Sequence, residues 1–298
     1  RQARSKACGQ TCQTCSQTRG QTASATATQA ALPRLSLSSA HAFTPSTEMG
    51  THWPYPRVIA HRGGGALAPE NTLAAIRKGH ALGFRAVEFD VMLSADAHPV
   101  LIHDETLERT TNGSGSVAGM PLHALATLDA GAWFGAAFRD EPVPTFRAAA
   151  ALCVELGLWA NVEIKPASGH ERETGRIAAM VAQECWHGAA LVPPAPLLSS
   201  FSAEALAEAR TAAPQLARGM LYDAVPANWR TQLEELDCRA LHCNARRLDE
   251  RLARDITGAG YGLACWTVNE PALARRLFDW GVDAVFTDRL DLITPDFV

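Results

Sequence analysis

The stretch Ala86-Val87-Glu88-Phe89-Asp90-Val91-Met92-Leu93, with its return run Pro99-Val100-Leu101-Ile102-His103-Asp104, decides the reading of this chain. Side chains alternate across a strand, so Glu88 and Asp90 share a face. Charge at both positions is unusual in a run otherwise built of Val, Phe, Met and Leu. The connection Ser94-Ala95-Asp96-Ala97-His98 is too short for a parallel crossover, which takes about a dozen residues. The two runs are therefore expected to form an antiparallel hairpin. A turn centred between Asp96 and Ala97 sets Asp90 opposite His103. Two carboxylates and an imidazole then meet at one place, and a slip of one residue would part them. The competing reading is a solvated strand face.

Outward from the hairpin, strands and helices alternate. Arg57-Val58-Ile59-Ala60-His61 reads as a short apolar strand running into Arg62-Gly63-Gly64-Gly65. Pro69-Glu70-Asn71-Thr72 opens a helix, with Asn71 as the expected N-cap. Residues 105–143 break the rhythm: they are turn-rich, carry Trp133, Phe134 and Phe138, and read as an inserted small lobe. Helices are then expected over 144–156, 170–187, 203–212, 226–236, 246–258 and 271–280. Strands begin near 58, 86, 159, 197, 216, 240, 263 and 283. Eight strands alternating with helices over about 250 residues predict a (β/α)8 barrel of the TIM type, with a small insertion after the hairpin of the second strand. The alternative is a doubly wound open sheet, which needs a reversal of strand order.

With 47% hydrophobic and 19% charged residues, the chain is expected to be a soluble globular protein with an ample core. A net charge of -4 gives no reason to expect a nucleic-acid partner. No apolar run approaches the ~18 residues of a membrane span. Of the eight cysteines, five (Cys153, Cys185, Cys238, Cys243 and Cys265) lie in the globular part. An odd, scattered set reads as reduced thiols of a cytoplasmic protein. Residues 1–48 are rich in Ser, Thr, Gln, Ala and Arg and hold one aromatic residue, Phe43, too little apolar surface to offset ordering entropy. They are expected to be a disordered or non-native extension, with Met49 as the natural start and 49–298 as the barrel domain. Cys8, Cys12 and Cys15 have the spacing of an iron–sulfur motif but no strand to present a cluster.

Barrels of this kind carry their chemistry at the C-terminal ends of the strands. The residues gathered there are His61 and Arg62, Glu88 and Asp90, Glu163 and Lys165, then Trp266 and Asn269, with His103 arriving through the hairpin. Three carboxylates (Glu88, Asp90, Glu163) make a hard oxygen site suited to a divalent cation, Mg²⁺ or Ca²⁺. Arg62 and Lys165 add positive charge beside it. Cations with two imidazoles suit a phosphate ester, one imidazole as base and one as acid. Taken alone, Glu163 and Lys165 would read as an ordinary surface pair. His242, near the end of the sixth strand, either lines this pocket or is a buried, hydrogen-bonded histidine.

These residues resemble the glycerophosphodiester phosphodiesterase family. The matching stretches are His61-Arg62-Gly63, Pro69-Glu70-Asn71-Thr72, Glu88-Phe89-Asp90-Val91, His103 through Thr111, Asn161-Val162-Glu163-Ile164-Lys165, Ser200-Phe201, Trp266-Thr267-Val268-Asn269, Gly281-Val282-Asp283 and Thr287-Asp288. Leu128 through Phe134 resembles the family's insertion, and the compact size is similar to that of the bacterial cytoplasmic type. The resemblance implies a metal-dependent hydrolase that converts small glycerophosphodiesters, such as glycerophosphocholine or glycerophosphoethanolamine, to sn-glycerol 3-phosphate and an alcohol. It implies His61 and His103 as the acid/base pair and Glu88, Asp90 and Glu163 as metal ligands. Arg62 and Lys165 match phosphate contacts, Trp266 an aromatic wall beside the glycerol, and Glu70 a carboxylate that orients His61 or its loop. Phe201 is expected to pack the barrel rim. In the turn after Asp96, Ala97 and His98 stand where members of the family often carry glycine. Two alternatives remain on the same scaffold. One is a lysophospholipase D- or sphingomyelinase D-like lipid hydrolase, which would want an apolar docking surface. The other is a non-catalytic phosphate-binding barrel, which would be expected to lack one histidine or ligand.

Overall fold

The computed structural model describes residues 53–187 and 195–297. The expectations for residues 1–48, and for the spacing of Cys8, Cys12 and Cys15, lie outside the described residues. The first two strands are β1 (Val58–Ala60) and β2 (Ala86–Leu93), and β3 (Pro99–Leu101) is the hairpin return. Six more follow: β4 (Trp159–Ile164), β5 (Leu197–Ser200), β6 (Ala217–Tyr222), β7 (Ala240–Asn244), β8 (Gly262–Trp266) and β9 (Ala284–Thr287). The order is β1-β9-β8-β7-β6-β5-β4-β2, all parallel, and β1 also pairs with β2, so the sheet closes into an eight-stranded TIM barrel. Closure excludes the open doubly wound sheet. β1 is only three residues long and meets β2 at Val87. The far end of β2 would be an open edge, and β3 covers it as an antiparallel ninth strand.

The hairpin register differs from expectation by one residue. Val91 pairs with Leu101 and Leu93 with Pro99, so Asp90 faces Ile102, whose amide donates to the Asp90 carbonyl at 3.2 Å. The cause is the turn. Ala97 adopts φ 59°, so Ala95, Asp96 and Ala97 form a three-residue loop ending in a left-handed residue rather than a tight turn centred between two residues. His103 lies just beyond the strand and still reaches the mouth.

The helices are α1 (Leu73–Ala81), α2 (Leu122–Leu125) in the lobe, α3 (Phe146–Leu156), α4 (Glu171–Cys185), α5 (Ala203–Ala212), α6 (Trp229–Glu235), α7 (Glu250–Gly258) and α8 (Pro271–Asp279). Side-chain oxygens of Thr72, Thr145, Ser202 and Asp249 accept from the amide three residues on, which satisfies one free donor at each helix start. The α1 cap is therefore Thr72, one residue after the expected Asn71. The main core fills the space between the outward faces of the strands and these helices. A second core (Met92, Val100, Ile102, Leu107, Val117, Leu125, Ala130, Val143 and Ala167) seats the inserted lobe on the hairpin. Side chains alternate in and out along each strand, and the barrel interior is layered. Its floor is aromatic: Trp53 and Tyr55, from just before β1, pack on Trp159, with the Tyr55 and Trp159 rings stacked at 4.2 Å. Gly262 makes room for this plug, since a Cβ there would stand 2.7 Å from the Trp53 ring. His242 lies in the layer above. It is fully buried between Trp53 and Phe286, with neither ring nitrogen hydrogen-bonded among the described residues.

Candidate active site

Positions Glu88 and Asp90 on β2 and Asn161 and Glu163 on β4 point into the barrel, and strand pairing sets Glu88 beside Asn161 and Asp90 beside Glu163. Glu88, Asp90 and Glu163 are all buried and offer oxygens within 4.8 Å of one another. Burial and the neighbouring Asp90 and Glu163 push Glu88 well above the usual carboxylate range. Burial and the neighbouring Asp90 push Glu163 up to about 7. Glu88 Oε1 is buried and has no hydrogen-bond partner among the described residues. An orphaned oxygen in an all-carboxylate cluster fits a hard divalent ion, and no thiol or imidazole belongs to the donor set.

Two residues next to the cluster hold their backbone in the left-handed region. Arg62 has φ 50° and Asn71 φ 58°. Such conformations are costly for residues other than glycine and persist only when the surroundings hold them. Here the surroundings are the carboxylates. The Arg62 amide donates to Glu88 Oε2 at 2.8 Å. Asn71 donates from Nδ2 to Asp90 Oδ2 at 2.8 Å and accepts from the Asp90 amide at 3.0 Å. The loop after β1 is thus bolted to both β2 acids. The Arg62 guanidinium reaches Glu70 at 2.6 Å and lies 3.7 Å from Asp90, and its Nε is buried without a partner among the described residues. Lys165 Nζ lies 3.5 Å from Glu163 and 4.0 Å from Asp90.

His61 follows β1, and its Nδ1 is 2.6 Å from Asp288 Oδ1, just beyond β9. Asp288 is fixed in turn by Asn269, whose Nδ2 donates to Oδ2 at 3.0 Å and whose Oδ1 accepts from the Asp288 amide at 2.8 Å. Burial raises the Asp288 pKa, but its bond to His61 and the adjoining charge outweigh that and leave it below the ordinary value. His103 repeats the arrangement, with Nδ1 2.6 Å from Asp104 Oδ1. The Arg109 hydrogen bond, aided by His103, holds Asp104 far below the ordinary carboxylate range. An ionised carboxylate only accepts, so each imidazole carries a proton on Nδ1 and leaves Nε2 for chemistry. Desolvation lowers the His103 pKa, with Asp90 opposing.

Every residue expected at the site except Glu70 and Asn269 lines one pocket of about 220 Å³. These are His61, Arg62, Glu88, Asp90, His103, Glu163, Lys165 and Trp266. That volume suits a ligand smaller than most drugs. Glu70 sits behind it, held by Arg62 and bidentately by Arg109, and so supports the His61 loop rather than the His61 ring. Phe201 does not pack inward. It is 44% exposed, lines the pocket and meets Trp266 edge-on at 5.5 Å. His242 is buried below the pocket and does not line it. The histidine partners Asp288 and Asp104, with Arg109, Asn71 and Asn269, were not assigned roles from sequence. Asp104 adjoins His103, and that adjacency was the available signal. Asp288 is 227 residues from its partner, and its only signal was the matching stretch Thr287-Asp288.

A model of the glycerophosphoryl diester phosphodiesterase family matches residues 61–292. A glycerophosphodiester phosphodiesterase of Caldanaerobacter subterraneus is 33% identical over 78% of this chain and 93% of its own length. One of Bacillus subtilis is 30% identical over 78% of this chain and 84% of its own. A solved phosphodiesterase of Oleispira antarctica, in complex with its product sn-glycerol-3-phosphate, is 42% identical with a TM-score of 0.75, covering 79% of this chain and 94% of the other.

Proposed function

The chain belongs to the glycerophosphoryl diester phosphodiesterase family and is a phosphoric diester hydrolase, and we propose that it splits small glycerophosphodiesters, such as glycerophosphocholine and glycerophosphoethanolamine, into sn-glycerol 3-phosphate and an alcohol. The observation that carries this reading is the pair of imidazoles, each tied through Nδ1 to an aspartate at 2.6 Å, beside a buried triad of carboxylates. Glu88, Asp90 and Glu163 would hold Mg²⁺ or Ca²⁺. When bound, such an ion supplies positive charge for the charge that builds on the phosphoryl oxygens.

In this reading the chain's own groups do the rest. Arg62 lines the pocket and supplies positive charge for a phosphoryl oxygen, and Lys165 adds a second. Trp266 and Phe201 form an apolar wall for the glycerol carbons. His61 and His103 use Nε2 in opposite senses. One takes the proton of the attacking hydroxyl, and the other gives a proton to the departing alkoxide. Each role is worth about 10²–10⁴-fold. Asp288 and Asp104 keep both rings in the productive tautomer and stabilise whichever becomes imidazolium. The attacking group is either the glycerol hydroxyl next to the ester, giving a cyclic phosphate that water then opens, or water itself. A quenched reaction that contains cyclic glycerol phosphate identifies the first route. A cytoplasmic location suits the buried thiols Cys153 and Cys238, both pushed up to about 12 by burial. Among the described residues no helix is long and apolar enough to cross a membrane.

The test is release of glycerol 3-phosphate from glycerophosphocholine with Mg²⁺, with Ca²⁺ and with a chelator, for the wild type and His61→Ala. The expected result is cation-dependent release that the substitution abolishes. No release with either ion, from a protein that is folded by circular dichroism, overturns the reading.

A further inference from the structure

The pocket that holds the acids and imidazoles opens sideways into a second, larger groove of about 470 Å³. Trp133 and Phe134 of the inserted lobe line it, together with Asp288 and Arg289. His61, Arg62 and Thr267 line both spaces, so the groove continues directly from the reacting centre. The inner pocket is small, and the site as described leaves the alcohol half of the diester without a place.

Resting on the function proposed above, we propose that this groove is the subsite for the alcohol half, and that it favours an alcohol bearing a quaternary ammonium group. The Trp133 ring is 43% exposed, although its Nε1 is fixed on the Ala130 carbonyl at 2.8 Å. It presents a fixed aromatic surface rather than a loose one. Phe134 stands perpendicular to it at 5.6 Å, so two rings make a corner, the arrangement that attracts a methylated cation. No cation of the protein lies over the Trp133 ring among the described residues. The charges along the groove are already matched. Arg289 is paired with Asp291 through two bonds of 2.8 Å, and Arg62 is paired with Glu70. The Asp288 carboxylate on the groove wall is likewise held, by His61 and Asn269. The opposite side of the mouth offers a smaller groove of about 330 Å³ beside Phe201. There the Lys165 ammonium already lies 6.0 Å from the ring centre, so the cation-binding face of Phe201 is taken.

The test compares two esters of glycerol 3-phosphate. The choline ester reaches the groove, and the methyl ester is too short to do so. Trp133→Ala should lower the kcat/KM ratio of the choline ester to the methyl ester about tenfold, mostly through the KM of the choline ester. Trp133→Phe, which keeps a ring, should stay within about threefold of the wild type. The uncharged 3,3-dimethylbutyl ester should be poorer than the choline ester in the wild type and equal to it in Trp133→Ala. Equal losses on the choline and methyl esters would mean a general effect of the lobe and overturn the proposal. So would a ratio that falls in Phe201→Ala and not in Trp133→Ala. A wild type that cleaves neither ester overturns the proposed function instead. Calorimetric titration of the same proteins with the same two esters then still decides the subsite, through a tenfold change in their affinity ratio or none.

Discussion

The mouth and the floor of this barrel are built from the same eight strands and obey opposite rules. At the mouth, ionisable groups are buried or half-buried, and nearly every one is spoken for. His61 has Asp288, His103 has Asp104, Arg62 has Glu70, and Asn71 has Asp90. Just below the pocket, His242 is wholly buried among aromatic rings, with no partner for either nitrogen among the described residues. Burial alone pushes its pKa down to about 3. A histidine is thus a poised acid or base at one level and an inert, neutral filler at another, and hydrogen-bonded carboxylates make the difference. Substitutions at the mouth should therefore cost rate, and substitutions at the floor should cost stability.

The sharpest break of that rule would come from Asp288→Asn. It keeps shape but lets the His61 ring take the wrong tautomer, so kcat should fall about a hundredfold or more. The melting temperature should move by no more than a few degrees, measured beside steady-state release of glycerol 3-phosphate. A stability loss without a rate loss would place Asp288 with the floor. Next in size is the cation. Ions that bind only the folded state add about 2.7 kcal/mol at a hundred times Kd. Saturating Mg²⁺ or Ca²⁺ should raise the melting temperature by several degrees, and Glu163→Gln should remove most of that rise. A rise that persists unchanged in Glu163→Gln would put the ion elsewhere.

Between mouth and floor, His242 sets an acid limit. The unfolded chain protonates this ring below about pH 6.5 while the folded chain holds it neutral to about 3, so the unfolded state binds more protons in that window and stability falls as the pH drops. The loss from this one residue is about 2 kcal/mol at pH 5. His242→Leu should flatten that limb in denaturant titrations at pH 7 and pH 5, and an equally steep limb in the variant would remove His242 as its source. The smallest expected effect is that of Gly262→Ala, whose added methyl must displace the Trp53 ring 2.7 Å away. It should cost about 1–3 kcal/mol and leave kcat/KM per folded molecule unchanged.

The frame was legible because its signals are local, whereas the aromatic floor of Trp53, Tyr55 and Trp159 was not read from them. Strand starts read from apolar runs fall within a residue or so of β1 through β9, and Glu88, Asp90 and Glu163 could be placed together because each stands at an inward position. The hairpin register was missed by one because Ala97 adopts a conformation that its side chain disfavours, which composition does not reveal. Asp288 stood in a matching stretch, but its role was missed because nothing local marks the histidine it will meet 227 residues away. Thr72 displaced Asn71 as the cap because Asp90, a tertiary partner, claims both ends of the Asn71 amide. Phe201 looked like packing because nothing in an aromatic side chain tells a rim from a wall.

Arg109 holds a different kind of consequence. It lies in the inserted lobe, yet it grips Glu70 and Asp104 together, and through them Arg62 and His103. The lobe is therefore divided in its freedom to diverge. Its first turn is tethered to the reaction, whereas at the tip Trp133 and Phe134 line the outer groove and, among the described residues, make no hydrogen bond to the acids or histidines of the inner pocket. An exchange of the tip between relatives that leaves Arg109 in place is a modular graft, and it gives evolution, or an engineer, a handle on preference that leaves the machinery beneath it intact.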